Sequence, residues 1–194
     1  LLEITGSGEM EDYEDCDDPW YSHRSSINKC SIKNGVTSIG DSTFYNCSGL
    51  TAINTPKRVT NIGVCAFYNC SSLTSVTIPN SVTAIGSSAF YKCSSLTSIT
   101  IPNGVTSIGE YAFRDCSSLT SITIPEGVTS IGYSAFSGCS SLERVTINCA
   151  NVGSWFSGLS SLKEIVLGEG VRSIGSSAFS GCNSLERVTI NCAN

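Results

Sequence analysis

The chain has 194 residues, of which 40% are hydrophobic and only 14% are charged, against roughly 25% charged residues in an average soluble domain. Its net charge of -5 arises near the start, because eight of the sixteen acidic residues lie within the first 18 positions. The rest of the chain carries eight acids and eleven bases, with no long basic run. This composition supports a folded core and excludes a collagen-like or disordered chain. It also argues against a nucleic-acid partner.

The first 26 residues differ in composition from the rest of the chain. Residues 1–6 lack the charged segment and the cleavage site of a signal peptide, and we expect an opening β-strand there. An acidic stretch and then Pro19, Trp20 and Tyr21 follow. We predict that residues 1–26 form an N-terminal cap. No apolar run in the chain reaches the roughly 18 residues of a membrane helix, so we expect no membrane insertion by this segment.

From residue 27 onward the sequence repeats with a period of 23 residues. Residues 73–95 and 96–118 agree at most positions when they are aligned. A period of this length predicts a leucine-rich-repeat solenoid, in which coils stack and each coil contributes short parallel β-strands and turns. The first position of each coil is apolar and defines seven coils and the start of an eighth: Ile27, Leu50, Leu73, Leu96, Leu119, Leu142, Leu162 and Leu185.

The beginning of each coil predicts a short β-strand. In the Leu-x-x-Val-x-Ile spacing of Leu73, Val76 and Ile78, these three side chains are expected to point inward. Pro79 follows, and its missing amide donor ends the pairing. The residues between the apolar positions are therefore expected to face outward.

The second half of each coil predicts another extended stretch and a return turn. Residues 82–85 are extended, and at Gly86 we expect either a positive φ or a close approach of two backbones. One helical or 3-10 turn is expected around Ala89 and Phe90. The predicted fold class is thus a solenoid of short strands, turns and short helical or 3-10 segments.

The repeat array is predicted to occupy residues 27–194 and has two irregular places. The coil at 142–161 has only 20 residues, and we expect the stack to bulge or bend there. Residues 185–194 repeat 142–151 almost residue for residue, and the sequence stops where the remainder of that coil should follow. We therefore expect an array that is truncated at its C-terminus, whose exposed core would favour end-to-end self-association.

Six or seven fixed positions recur in each coil, as in SLTSITIPNGVTSIGEYAFRDC at residues 95–116. With these copies and its N-terminal segment, the chain resembles the BspA-like leucine-rich-repeat proteins over nearly its whole length. The resemblance implies a cell-surface or secreted protein of a host-associated bacterium, or less often of a parasitic protozoan. It also implies that the repeats bind host proteins, including those of the extracellular matrix, or other cells. The N-terminal positions that contribute are residues 4–10, Pro19, Trp20, Tyr21 and Arg24.

Cysteine is unusually frequent, with eleven residues in the chain. Stacked coils place like residues roughly 4.8 Å apart, but side chains that point in parallel suit a disulfide poorly. We therefore predict buried free thiols for the six cysteines that share one column. No Cys-x-x-Cys pair is present, and we predict no bound metal and no cofactor. The column contains Cys47, Cys70, Cys93, Cys116, Cys139 and Cys182, and outside it lie Cys16, Cys30, Cys65, Cys149 and Cys192.

Few residues are candidates for catalysis, and we predict that the protein is not an enzyme. The single histidine, His23, has no repeated partner that would orient it, so we interpret it as a packed or solvated residue of the cap. Residues 12–18 are rich in carboxylates but match no EF-hand loop. We interpret them as a solvated acidic loop, with weak calcium binding as the alternative.

The outward positions of the strand that opens each coil are the main candidates for ligand binding, because solenoids use one extended face for recognition. A solvated face without a ligand is the alternative. In three coils the positions carry hydroxyl groups: Thr74, Ser75, Thr77, Thr97, Ser98, Thr100, Thr120, Ser121 and Thr123. In the later coils they are charged: Glu143, Arg144, Lys163, Glu164, Glu186 and Arg187. A second candidate row is aromatic, though its rings could equally stack on one another: Tyr45, Tyr68 and Tyr91.

These features favour an extracellular or cell-surface binding module whose repeat face contacts a protein or glycan ligand. The alternative is a structural spacer within a larger surface protein, with no ligand of its own. Binding of ice or a mineral surface by the Thr and Ser positions is a third interpretation, which the charged coils disfavour.

Overall fold

A computed structural model describes residues 1–14 and 17–191 of the chain. The chain forms a solenoid of about seven turns, in which parallel strands recur roughly 23 residues apart. The described residues contain one helical element, the 3-10 turn Tyr21–His23. The predicted leucine-rich-repeat solenoid is confirmed.

The first strand column runs along one side of the solenoid and contains the strand that opens each coil. Its strands form three parallel sheets, which separate after Ala52–Asn54 and after Ser98–Ile99. Within each sheet the strands pair in register, so Ile122 is aligned with Val145 and Val145 with Ile165. Burial alternates along the inner strands of the column, as in Arg144–Ile147, which places every second side chain in the core. In the last strand, Arg187–Ile190, no residue is buried. The column comprises Leu2–Ile4, Lys29–Ile32, Ala52–Asn54, Ser75–Val76, Ser98–Ile99, Ser121–Ile124, Arg144–Ile147, Glu164–Leu167 and Arg187–Ile190.

The second strand column follows the second extended stretch of each coil. Its first five strands form one parallel sheet, whereas the last two form a separate pair. The interruption lies between Ile131 and Val152, at the 20-residue coil, although the first strand column continues past that coil without a break. The second column comprises Ser38–Ile39, Asn61–Ile62, Ala84–Ile85, Ser107–Ile108, Ser130–Ile131, Asn151–Val152 and Ser173–Ile174.

Glycine ends the second strand because two backbones meet there. A Cβ atom on Gly86 would lie 2.5 Å from the carbonyl carbon of Gly63 in the preceding coil. Positive φ angles occur instead at Ser88 (55°) and Lys92 (58°) in the following turn. Of the two expectations for this glycine, the close approach is therefore the correct one.

The prediction of a helical or 3-10 turn at Ala89 and Phe90 is wrong. The Phe90 amide donates to the Ala112 carbonyl of the next coil at 2.7 Å, and the Lys92 amide donates to the Arg114 carbonyl at 2.9 Å. A helix would require these amides to bond within their own coil. The amides of Ala89, Tyr91 and Cys93 donate to carbonyls three residues earlier, so single turns within the coil alternate with inter-coil hydrogen bonds. We name this region the turn column, formed by residues 42–47, 65–70, 88–93, 111–116, 134–139 and 177–182.

The core is a stack of repeated layers of which phenylalanine forms the centre. Phe67 and Phe90 have ring centroids 5.2 Å apart, and Phe90 and Phe113 are 5.3 Å apart, with nearly parallel planes. All three rings are fully buried. Phe156 of the short coil joins the same stack, 5.0 Å from Phe136. Although this coil is three residues shorter than the regular coils, the core therefore continues through it.

The N-terminal residues provide the first coil with the hydrogen bonds that a preceding coil would provide. The Tyr13 amide donates to the Asp41 carbonyl at 3.0 Å, and the Trp20 indole N–H donates to the Thr43 carbonyl at 2.9 Å. In later coils, amides of the turn column occupy these two positions. The Trp20 ring also stacks on Phe44, with centroids 6.1 Å apart. Both the hydrogen bonding and the aromatic stack thus extend into the N-terminal segment.

Candidate ligand-binding face

The hydroxyl-bearing part of the first strand column is exposed at all nine predicted positions. The threonine just before each strand donates its hydroxyl hydrogen to a backbone carbonyl of the preceding coil. Thr97 donates to the Thr74 carbonyl at 3.3 Å, and Thr120 donates to the Thr97 carbonyl at 3.5 Å. These hydroxyl oxygens still have lone pairs for an incoming donor. This part of the face is therefore polar, uncharged and internally bonded.

The charged part of the face is brought together as the sequence predicts, and we name it the charge grid: Glu143, Arg144, Lys163, Glu164, Glu186 and Arg187. Parallel pairing aligns Arg144 with Glu164 and Glu164 with Arg187. The position before them carries Glu, Lys and Glu in the same three coils. Charge therefore alternates both along each strand and across the strands.

Ion pairs connect most of the charge grid. Glu164 contacts two arginines, with one carboxylate oxygen 3.4 Å from Arg144 Nη1 and the other 3.5 Å from Arg187 Nη1. Lys163 Nζ donates to Glu143 Oε1 at 2.8 Å. This hydrogen bond, with the charge of the same carboxylate, raises the pKa of Lys163. Because these side chains are largely exposed, solvent and salt screen the pairs, and each contributes little to stability.

The tyrosine row consists of rings that stack on one another, as the alternative interpretation had it. Centroids of Tyr45 and Tyr68 lie 4.6 Å apart, and those of Tyr68 and Tyr91 lie 4.8 Å apart. Arginines lie at both ends: the guanidinium of Arg24 is 5.6 Å from the Tyr45 centroid, and that of Arg114 is 5.8 Å from the Tyr91 centroid. The ring faces are thus used within the protein, and this row is a weaker candidate for ligand binding than the charge grid.

The cysteine column consists of free thiols, as predicted. Five of the six thiols, all except Cys47, donate to a phenylalanine carbonyl of the preceding coil, for example Cys93 to Phe67 at 3.2 Å. Burial raises the pKa of Cys47 and of Cys139 to about 12. Cys16 and Cys192 lie outside the described residues. The free thiols of the described part are Cys30, Cys47, Cys65, Cys70, Cys93, Cys116, Cys139, Cys149 and Cys182.

The N-terminal acidic segment is not wholly a solvated loop. Asp18 is 3% exposed and forms a buried ion pair with Arg24, because a carboxylate inside the protein requires a cationic partner. Asp12 accepts a hydrogen bond from the Asp41 amide at 2.7 Å, and Asp15 lies outside the described residues. His23 is exposed, with Nδ1 2.9 Å from the Ser22 hydroxyl.

Within residues 1–14 and 17–191, no group of three or more His, Cys, Asp or Glu side chains is arranged to hold a metal ion. No helix in the same ranges has the length and apolar character needed to cross a bilayer.

A cavity of about 470 Å³ opens beside the 20-residue coil, and sequence reasoning did not identify it. Two aromatic side chains, Tyr133 and Trp155, and several serines line it. We name the part formed by Tyr133, Ser134, Ser137, Ser154 and Trp155 the serine notch. The available sequence signal was Trp155, which occupies the position that alanine holds in the regular coils.

Comparison with solved structures finds several bacterial leucine-rich-repeat proteins. A leucine-rich-repeat protein from T. pallidum is 29% identical, with a TM-score of 0.73 over 81% of this chain and 78% of that chain. One from Eubacterium ventriosum is 21% identical, with a TM-score of 0.46 over 96% of this chain and 79% of that chain. A leucine-rich cell surface protein from Faecalibacterium prausnitzii is 26% identical, with a TM-score of 0.41 over 89% of this chain and 62% of that chain.

Comparison with known sequences gives two results. No curated protein matches the chain. The family model described as the BspA type leucine rich repeat region matches residues 17–143 and 83–194, which together span most of the sequence. The chain therefore belongs to the BspA-type leucine-rich-repeat family.

Proposed function

We propose that this protein is a cell-surface or secreted binding module that mediates protein–protein contact or cell adhesion through the first strand column. The observation that carries the proposal is the charge grid, where six charged side chains alternate in sign on three paired strands. Membership of the BspA-type family supports the surface or secreted location. The regular solenoid supports a binding role because it presents one continuous face.

The ligand that fits the charge grid best is a protein. The grid contains three acids and three bases, so its net charge is zero and it exerts little attraction beyond a few ångströms. Its main contribution is then to discriminate between partners at short range. Complementary charges favour one alignment of the partner on the grid, and like charges disfavour the other alignments. A protein surface can supply charges of both signs at this spacing, whereas a neutral glycan supplies neither.

The hydroxyl-bearing part of the face supports the same contact. The exposed Ser and Thr positions of the three preceding coils continue the first strand column away from the charge grid. Their oxygens accept hydrogen bonds from any partner with suitable donors. We propose that they enlarge the contact and that the charge grid selects the partner.

The test is binding to immobilised fibronectin, laminin and fibrinogen, measured by surface plasmon resonance. The decisive variant reverses all six charges of the grid, which keeps the alternation and the internal ion pairs but inverts every sign. We expect a dissociation constant at least about tenfold higher for this variant, with unchanged circular dichroism. Glu110→Lys is a matched control because Glu110 is an exposed charge away from the first strand column.

A structural spacer is the second candidate, and one observation favours it. Five of the six grid charges have an ion-pair partner within the grid, so the face needs no ligand to be electrostatically balanced. A spacer predicts that the folded protein binds none of the three matrix proteins. It also predicts that the charge-reversed variant behaves as the parent does.

A further inference from the structure

The serine notch lies where two kinds of inter-coil contact are interrupted together. The second strand column breaks between Ser130–Ile131 and Asn151–Val152. The turn column is also incomplete at this place. In the preceding coil the Phe113 amide donates to the Ala135 carbonyl at 2.8 Å, but within the described residues the Ser134 and Phe136 amides make no corresponding bond to the short coil. The coils therefore separate locally while the core beneath them stays closed.

The aromatic wall of the serine notch results from one residue that does not fit its position in the coil. Trp155 occupies the place of Ala112 and Ala135, which are fully buried. An indole ring is too large for that position, and it lies over Gly153, where a Cβ atom would be 2.7 Å from Trp155 Nε1. Trp155 is consequently only partly buried, and Tyr133 on the other coil is 70% exposed.

The polar groups of the serine notch are neutral and can both donate and accept hydrogen bonds. Ser134, Ser137 and Ser154 supply hydroxyl groups. The Ser134 amide has the position from which other coils donate toward the following coil. No charged side chain lines the cavity. At the margin, a carboxylate oxygen of Asp115 lies beside Gly138, and its charge would repel an anionic ligand.

We propose that the serine notch binds one ring of a neutral glycan. A pyranose ring presents an apolar C–H face that can pack on an aromatic side chain, and hydroxyl groups that match neutral donors and acceptors. A cavity of about 470 Å³ lies within the usual range for small-ligand sites. This site is separate from the charge grid, so it adds a carbohydrate contact to the protein contact proposed above and does not depend on it.

Saturation-transfer NMR with neutral trisaccharides of glucose, galactose, mannose and N-acetylglucosamine tests this site. We expect at least one trisaccharide to bind with an affinity near the millimolar range. The test variants use residues from regular coils, so that folding is preserved: Trp155→Ala restores the residue of Ala135, and Tyr133→Ser restores the residue of Ser87. Each change is expected to weaken binding about tenfold, since each removes one stacking face.

Two results would overturn the glycan site. One is the absence of saturation transfer to every trisaccharide while circular dichroism shows the protein folded. The other is binding that survives in the Trp155→Ala, Tyr133→Ser double variant, or that occurs only with sialylated or uronic-acid probes. The charge-reversed grid variant is the control for independence, because it should bind the neutral trisaccharide as the parent does.

Discussion

At the scale of single residues, the buried thiols are expected to make the folded protein less stable as the pH rises above 9. The pKa of Cys47 and of Cys139 is about 12 in the folded protein because both are buried, whereas an exposed thiol has a pKa near 9. Between these values the unfolded chain releases thiol protons that the folded chain retains. Stability is therefore complete below pH 9 and decreases as the pH rises toward 12.

We expect each of these thiols to lower the free energy of unfolding by about 1.4 kcal/mol between pH 8 and pH 10. Urea unfolding at the two pH values, under reducing conditions, measures the total. The Cys47→Ala, Cys139→Ala variant should lose about 3 kcal/mol of that pH dependence. An unchanged difference between the two pH values would show that these thiols already ionise in the folded state.

Trp20 joins the first coil through both its ring and its indole N–H. In Trp20→Phe the ring can still stack on Phe44, but the carbonyl of fully buried Thr43 loses its donor. We expect the free energy of unfolding to fall by about 1–3 kcal/mol, the cost of an unpaired buried polar group.

Urea unfolding of Trp20→Phe is best compared with that of Trp155→Phe. The Trp155 indole N–H makes no hydrogen bond within the described residues, so its replacement should cost much less. Equal losses in the two variants would mean that ring size, and not the Thr43 hydrogen bond, determines the effect.

Two glycines of the repeat should respond oppositely to alanine. At Gly86 a Cβ atom would lie 2.5 Å from the backbone of Gly63, which cannot move aside. We expect Gly86→Ala to lower the free energy of unfolding by about 2 kcal/mol or more. Gly104 has the position of Ser81 in the preceding coil, and its Cβ would meet the Asn80 carbonyl oxygen at 3.0 Å. Gly104→Ala should be nearly neutral or slightly stabilising, as thermal denaturation of both variants would show.

At the scale of elements, the strands were predictable and the turns were not. The Leu-x-x-Val-x-Ile spacing indicates which strand residues point inward, and the fixed period aligns equivalent strands. The charge grid could therefore be located from the sequence. The turn around Phe90 could not, because a few residues rich in Ala, Phe and Cys are compatible with a helix or a turn. Its conformation depends on the carbonyl groups of the next coil, which a local pattern does not reveal.

The serine notch shows a second limit of prediction from sequence at this scale. The short coil was visible from its length, and a bulge or bend was expected. Which contacts would open was not evident, because removal of three residues could have broken either strand column. In the structure the first strand column keeps its register and Phe156 stays in the aromatic stack. The second strand column is the one that is interrupted here. Its strands are only two residues long, so few hydrogen bonds are lost where they separate.

At the scale of the whole molecule, each coil contacts mainly its neighbours, so the array should tolerate removal of one complete coil. Deletion of residues 96–118 removes one period and joins Ser95 to Leu119, as Ser95 is joined to Leu96 now. We expect the same circular dichroism per residue and a urea m-value lower by about one seventh.

The control deletion removes residues 96–107, about half of a period. The remainder of that coil would lack the strand Ser98–Ile99 and its buried side chains, so we expect the free energy of unfolding to fall far more than in the complete deletion. If the two deletions unfolded alike, registration of the coils would not be the main source of stability.

The direction of the hydrogen bonds in the turn column gives the solenoid an electrical polarity. In a parallel sheet, successive amides point to opposite sides and their dipoles nearly cancel. In the regular part of the turn column, the inter-coil amides all point toward the later coil, as those of Phe44, Phe67 and Phe90 do. Their dipoles add along the axis with the positive end toward later coils, which is the reverse of an α-helix relative to the direction of the chain.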